Sequence, residues 1–167
     1  MSGGSGEIPA SRPERRLIPC AVVHAEILGS LLEACFDDSW RSKDLREILA
    51  MPGAFGFLLE ESGSPVGFVL CQLGADEMTV LSLGVLPERR KAGLAALLIK
   101  AAEERASGLG ATTAFLEVAE DNAVARRLYA RRGYVEVGKR QNYYKGSVGR
   151  RIDALILRRR LTATEPR

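Results

Sequence analysis

The apolar positions of this chain change period several times, and the changes divide it into elements. Residues 22–36 carry Ile27, Leu28, Leu31, Leu32 and Cys35 at the three-and-four spacing of a helical stripe. Ser42 then stands where a cap is wanted for a second helix through residue 50, which Met51-Pro52-Gly53 would stop. Two mostly apolar runs, 55–59 and 66–73, flank Glu61-Ser62-Gly63-Ser64-Pro65 and predict a hairpin, and a third run covers 78–85. Leu94, Leu97, Leu98, Ala101 and Ala102 form one face of a helix that ends near Gly108 and Gly110. A strand at 112–118, a helix from 123 to 132 stopped by Gly133, and strands near 134–144 and 152–159 follow, with a short first strand at 16–18.

Strand-helix-strand units in the centre with further strands on either side predict an α/β domain with a mixed sheet. Residues 1–14, rich in Gly, Ser and Pro, read as a disordered tail and 162–167 as a flexible end, which leaves one domain over 15–161. A chain of 167 residues, 46% hydrophobic and 27% charged, can bury a core without disulfides. No apolar run approaches the ~20 residues that cross a bilayer, and no apolar leader is visible, so the expected location is the cytoplasm, away from membranes.

A net charge of +3 is too small to argue for nucleic acid, and no direct nucleic-acid binding is expected. Arg126, Arg127, Arg131 and Arg132, and then Arg158, Arg159 and Arg160, read as a solvated helix face and strand end, or as an attraction for an anionic partner. Cys20, Cys35 and Cys71 are widely spaced with only His24 as a histidine neighbour, which predicts free thiols and no metal site. A covalent route through Cys71 would need a surrounding that lowers its pKa, whereas Val69-Leu70-Cys71 reads as apolar strand.

The chemistry gathers around the turn Arg90-Lys91-Ala92-Gly93-Leu94-Ala95, between the run ending Leu83-Gly84-Val85 and the next helix. Strand, glycine-bearing basic turn and helix start make a place for a pyrophosphate, because the turn can present several backbone N–H groups to one anion and Gly93 has no Cβ to hold the ligand off. The turn lacks the Gly-Lys-Ser/Thr ending of a triphosphate loop and the G-x-G-x-x-G of a dinucleotide fold. Its form, (Q/R)-x-x-G-x-(G/A) at Arg90, Gly93 and Ala95, resembles the acetyl-CoA loop of the GCN5-related N-acetyltransferases (GNAT). Leu116-Glu117-Val118, Asn122, Leu128-Tyr129, Gly133-Tyr134, Arg140-Gln141-Asn142-Tyr143-Tyr144 and Asp153-Ala154 are similar to its bacterial RimI-type subfamily, which acetylates a ribosomal protein's N-terminal amine.

That resemblance implies the GNAT fold: a mostly antiparallel mixed sheet with helices on both faces and a splayed parallel strand pair holding acetyl-CoA. It makes acetyl-CoA the donor and a protein N-terminus or another amine the acceptor, with no metal. The cofactor would lie against Leu83, Gly84, Val85, Arg90, Lys91, Ala92, Gly93, Leu94, Ala95, Ala96 and Asn122, the last also a strong helix cap. Glu117 would be the base and Tyr129 the acid. Read from the strand alone, Glu117 is either desolvated, which would raise its pKa, or turned to solvent or an arginine. Tyr129 has a packing role as its competitor. Trp40, Tyr143 and Tyr144 would shape the acceptor side, or serve as core and surface aromatics. The chain departs from the subfamily at Ile152, where an acidic residue is usual, at a longer loop over 145–150, and at Leu86-Pro87 in place of Asp-Pro. A small amine or a lysine side chain as acceptor, a CoA-binding module without turnover, and an RNA-associated basic module are the alternatives.

Overall fold

Alternation along the strands decides which face each residue serves. The computed structural model describes residues 10–37 and 42–163. Its strands are β1 (Arg15–Pro19), β2 (Ala54–Glu61), β3 (Ser64–Gly74), β4 (Glu77–Val85), β5 (Thr113–Ala119), β6 (Val135–Lys145) and β7 (Arg151–Arg160). Helices α1 (Ala25–Cys35) and α2 (Ser42–Ala50) lie between β1 and β2, α3 (Leu94–Gly108) between β4 and β5, and α4 (Ala123–Arg131) between β5 and β6. Along β3, Phe68 and Leu70 join the core under α1 and α2, whereas Val69 and Cys71 join the core under α3. The sheet is therefore covered on both faces, as expected.

The strand order is β1-β2-β3-β4-β5-β7-β6, and every neighbouring pair is antiparallel except β4 and β5. The β2–β3 connection is tighter than the expected five-residue loop. Glu61 and Ser64 pair directly, and Ser62 and Gly63 turn the chain with φ of 49° and 82°. Positive φ at both central residues matches the twist of a two-residue hairpin.

Two expectations about the helices shift. Ser42 is the first residue of α2, and its hydroxyl donates to Glu26 Oε2 at 3.4 Å rather than serving as a cap. On α3 the buried stripe is Leu94, Leu98, Ile99, Ala102, Glu103 and Ala106, with Leu97 and Ala101 only half-buried. The stripe is rotated from the expected one because α3 meets β2, β3 and β4 together, so the sheet's twist rather than the sequence period alone sets the buried line. At the C-terminal end Leu161 N donates to the Thr112 carbonyl and Ser107 Oγ donates to that of Thr162.

Candidate active site

The parallel pair β4–β5 is joined only where Glu77, Met78 and Thr79 meet Thr113, Ala114 and Phe115. Beyond that point β4 stays with β3 and β5 stays with β7, so the two strands part and a cleft opens at their C-terminal ends. A bulge helps β4 turn away: Leu70 faces Ser82 and Cys71 faces Val80, which leaves Leu81 as the extra residue.

The backbone of β4 beside the cleft is oriented by its pairing on the other side. Leu86 N donates to the Val66 carbonyl at 2.9 Å. In an antiparallel ladder bonded and non-bonded pairs alternate, so Gly84 and Ser82 also bond toward β3, while Leu83 and Val85 turn their N–H and C=O groups the other way. The Val85 carbonyl accepts from Arg90 Nε at 3.2 Å, on that outward side. The N–H groups of Leu83 and Val85 thus point into the cleft. Gly84 between them is buried, and a Cβ there would meet Phe68 Cε1 at 2.7 Å and Cys35 Sγ at 3.1 Å.

At the mouth of the cleft the turn before α3 leaves its amides free. Gly93, the N-cap, has φ of 76° and supplies no side-chain cap, and the first intrahelical bond runs from Leu97 N to the Gly93 carbonyl. The N–H groups of Leu94, Ala95 and Ala96 have no intrahelical acceptor, and the helix dipole makes this end attractive to an anion. Ala92 is exposed, and Lys91 is exposed with φ of 64°. Arg89 is committed elsewhere: its Nε donates to Glu61 Oε1 at 2.6 Å, and Arg15 Nε donates to Glu61 Oε2 at 3.0 Å. Hydrogen bonds from Arg15 and Arg89 hold the buried Glu61 carboxyl below the usual carboxylate range, against the effect of burial. Glu61 therefore fastens the turn to β1 and β2, a role that only the folded topology reveals.

Across the cleft, β5 carries Glu117. Leu116 and Val118 pair with Leu157 and Leu155 in the core under α3, so Glu117, paired with Ile156, projects to the opposite face. It is not an isolated desolvated carboxylate. Arg140 Nε lies 2.8 Å from its Oε1, and its side chain is 28% exposed, so the arginine partner foreseen as one reading of the strand is present. Tyr129 occupies the other side: α4 buries it against the α3 core, 7% exposed. Burial pushes its phenol well above the ordinary tyrosine range, with Cys71 and Tyr144 adding to the rise. Asn122 caps α4, its Oδ1 accepting from Ala125 N at 3.1 Å.

The acceptor-side aromatics separate into distinct roles. Tyr144 is half-buried and Tyr143 is half-exposed, with their rings edge-on at 5.1 Å. Burial raises the Tyr144 phenol and the nearby Glu117 charge raises it further. The Arg140 guanidinium stands over the Tyr143 ring at 5.4 Å. A bulge spanning 141–143 produces this arrangement, because Arg140 faces Ala154 and Tyr144 faces Ile152. Asp153 holds the bulge by accepting from Asn142 N at 2.8 Å, with Asn142 at φ of 54°. A polar cavity of ≈ 450 Å³ lies alongside, lined by Glu120, Asp121, Ser147, Arg150, Arg151 and Asp153 among others. Trp40 lies outside the described residues.

The three thiols are free and their pKa values are raised by burial. Cys71 is buried and burial pushes its thiol far up, while Cys20 is pushed up to about 12 by the same cause. Burial also raises Cys35, partly offset by the neighbouring Arg90. Among the described residues no three or more His, Cys, Asp or Glu gather as a metal site, and no helix is long and apolar enough to cross a membrane.

The sheet is thus parted between two parallel strands, with a helix start of unpaired amides at its mouth and a carboxylate and a phenol on its two faces. The chain belongs to the acetyltransferase (GNAT) family, whose sequence model matches residues 25–134. It is similar to the ribosomal protein bS18-alanine N-acetyltransferase of Haemophilus influenzae, 35% identical over 99 residues, which are 59% of this chain and 67% of that protein. The enzyme of the same name from Escherichia coli is 34% identical over 101 residues, 60% and 68% of the two chains. The crystal structure of the Escherichia coli ribosomal-protein-S18-alanine N-acetyltransferase matches with a TM-score of 0.84 and 25% identity, over 91% of this chain and 97% of that one. Arabidopsis thaliana NAA60 in complex with acetyl-CoA shares the fold, with a TM-score of 0.77 and 19% identity over 89% and 99% of the chains.

Proposed function

We propose that this acetyltransferase moves the acetyl group of acetyl-CoA directly to the α-amine of a protein N-terminus, of the ribosomal-protein-alanine type. The observation that carries the proposal is the parted β4–β5 pair, with outward N–H groups on β4 and Glu117 and Tyr129 on opposite sides of β5. The curated relatives named for a ribosomal-protein alanine support the acceptor class.

The free amides of Leu94, Ala95 and Ala96, with the close approach allowed at Gly93, suit the pyrophosphate of acetyl-CoA. Lys91 adds a cation, while Arg90 contributes by fixing the turn to Val85. Asn122 borders the same side as the cap of α4. The acetyl arm runs along β4, where the N–H groups of Leu83 and Val85 receive the thioester oxygen as it becomes an oxyanion, and Gly84 keeps that stretch of β4 close to its neighbours.

An α-amine has an ordinary pKa near 8, so at neutral pH it must lose a proton to attack. Glu117 takes that proton, directly or through one water, with Arg140 fixing Oε1 and leaving Oε2 for the transfer. As the carbon–sulfur bond breaks, Tyr129 gives its proton to the departing sulfur, and the second proton that the nitrogen loses on becoming an amide restores the phenol. Tyr143 and Tyr144 flank the acceptor on the Glu117 side.

Labelled acetyl-CoA offered with peptides beginning Ala, Ser or Gly, with N-terminally blocked lysine peptides, and with polyamines tests the proposal. Label on the N-terminal amine supports it. Label confined to lysine side chains or polyamines removes the N-terminal acceptor, and acetyl-CoA binding without any transfer removes the enzyme reading.

A further inference from the structure

Two acidic side chains are buried among the described residues, Glu61 and Glu103. Glu61 fastens the turn before α3, whereas Glu103 takes no part in the chemistry above. It lies on the buried face of α3 with Ile99, Ala102 and Ala106, where an unpaired charge would be strongly unfavourable. Its partners come from elements distant in sequence. Oε2 accepts from Arg132 Nη2 and Arg159 Nη1, and Oε1 accepts from Tyr134 Oη at 3.0 Å.

Arg132 and Tyr134 are the exit of α4, and Arg159 belongs to β7. Tyr134 is also the neighbour of Tyr129: the rings meet edge-on at 5.6 Å and 65°, and Tyr134 N donates to the Tyr129 carbonyl at 3.0 Å. Helix α4 has nine residues and buries only Tyr129, too little for a helix to hold its own position. Asn122 secures its start. The Glu103 cluster secures its end.

We propose that Glu103 is a positioning residue for acetyl transfer: by tying Tyr134 and Arg132 to α3, it fixes the ring of Tyr129 at the depth in the cleft where its hydroxyl meets the departing sulfur. The proposal rests on Tyr129 being the proton donor. A carboxylate far from the reacting atoms then matters to turnover because displacement of a catalytic group by about 1 Å can cost ~100-fold in rate.

The test measures kcat and the KM for acetyl-CoA of Glu103→Gln and Tyr134→Phe, each in the wild-type and in the Tyr129→Phe background, at a temperature below every unfolding midpoint. Glu103→Gln leaves two guanidinium groups without their carboxylate and is expected to lower the midpoint. Tyr134→Phe removes a single hydroxyl, keeps the ring against Tyr129, and decides the matter if Glu103→Gln does not fold. Each change is expected to lower kcat about tenfold in the wild type and less than about twofold in Tyr129→Phe, as for residues of one coupled network. The KM for acetyl-CoA is expected to stay within about twofold. An equal fall in both backgrounds would overturn the positioning role while leaving the donor assignment intact. Unimpaired kcat in Tyr129→Phe alone would remove the donor assignment and the positioning role together.

Discussion

Glu117 and Tyr129 stand on opposite sides of the sheet, Glu117 projecting from β5 toward the α1 and α2 face and Tyr129 held by α4 in the core under α3. The separation suits the proposed mechanism. A transferred acetyl group has an attacking atom and a leaving atom on different sides of its carbonyl carbon, and the proposed proton acceptor and proton donor, on opposite faces, would each meet one of them.

Tyr129→Phe is expected to lower kcat about 100-fold, within the usual range for a lost general acid. Acetyl-CoA affinity should change by less than about twofold. Because burial raises the Tyr129 phenol, it stays protonated well past its ordinary value of about 10, so kcat should not fall with rising pH below about pH 10 through loss of this proton. A pH profile of kcat checks both statements.

Gly84→Ala places a methyl group at 2.7 Å from Phe68 Cε1 and 3.1 Å from Cys35 Sγ. Overpacking of this kind costs about 1–3 kcal/mol and moves backbone. The backbone that moves carries the outward amides of Leu83 and Val85. Denaturant unfolding should show the loss of stability, and kcat should fall more than stability alone accounts for at a temperature where the variant is folded.

The Glu61 clamp gives a stability term with a definite pH sign. A carboxyl whose folded pKa is depressed contributes stability that is present above its unfolded value, about 4.3, and is lost as pH falls through the lower folded value. Glu61→Gln cannot titrate, so the thermal midpoint of the wild type should exceed that of the variant at neutral pH. The gap should close as pH drops below about 4.

Arg140→Ala separates orientation from stability. The pair with Glu117 is partly solvated, and such pairs contribute about 0–1 kcal/mol to folding. The unfolding midpoint should barely move. The kcat/KM for the acceptor peptide should fall about tenfold, because Glu117 loses the group that orients it and Tyr143 loses its cation.

Much of this architecture is legible along the chain, and what is not depends on partners distant in sequence. The period changes mark every strand and helix to within a few residues, and the glycine-bearing turn at Arg90 to Ala95 is local, so its cleft-mouth geometry follows from neighbours. Asn122 reads as a cap because capping is local too. By contrast Glu61, Glu103 and Arg140 find partners 28 or 46, 29 to 56, and 23 residues away. Glu103 did leave a signal, an acid inside the stripe of Ile99, Ala102 and Ala106, but the expected stripe ran through Leu97 and Ala101 and passed it by. The bulges at Leu81 and at 141–143 have no local signature beyond Asn142, which tolerates positive φ better than most residues.

Glu117 is proposed to take the acceptor's proton within a preformed acetyl-CoA site. Single-turnover transfer of acetyl from bound acetyl-CoA to a peptide beginning with Ala, compared between the wild type and Glu117→Gln at neutral pH, tests it most directly. The expected result is a rate about 100-fold lower in the variant, with the Kd for acetyl-CoA unchanged within about twofold. Equal transfer rates in the two proteins would contradict it.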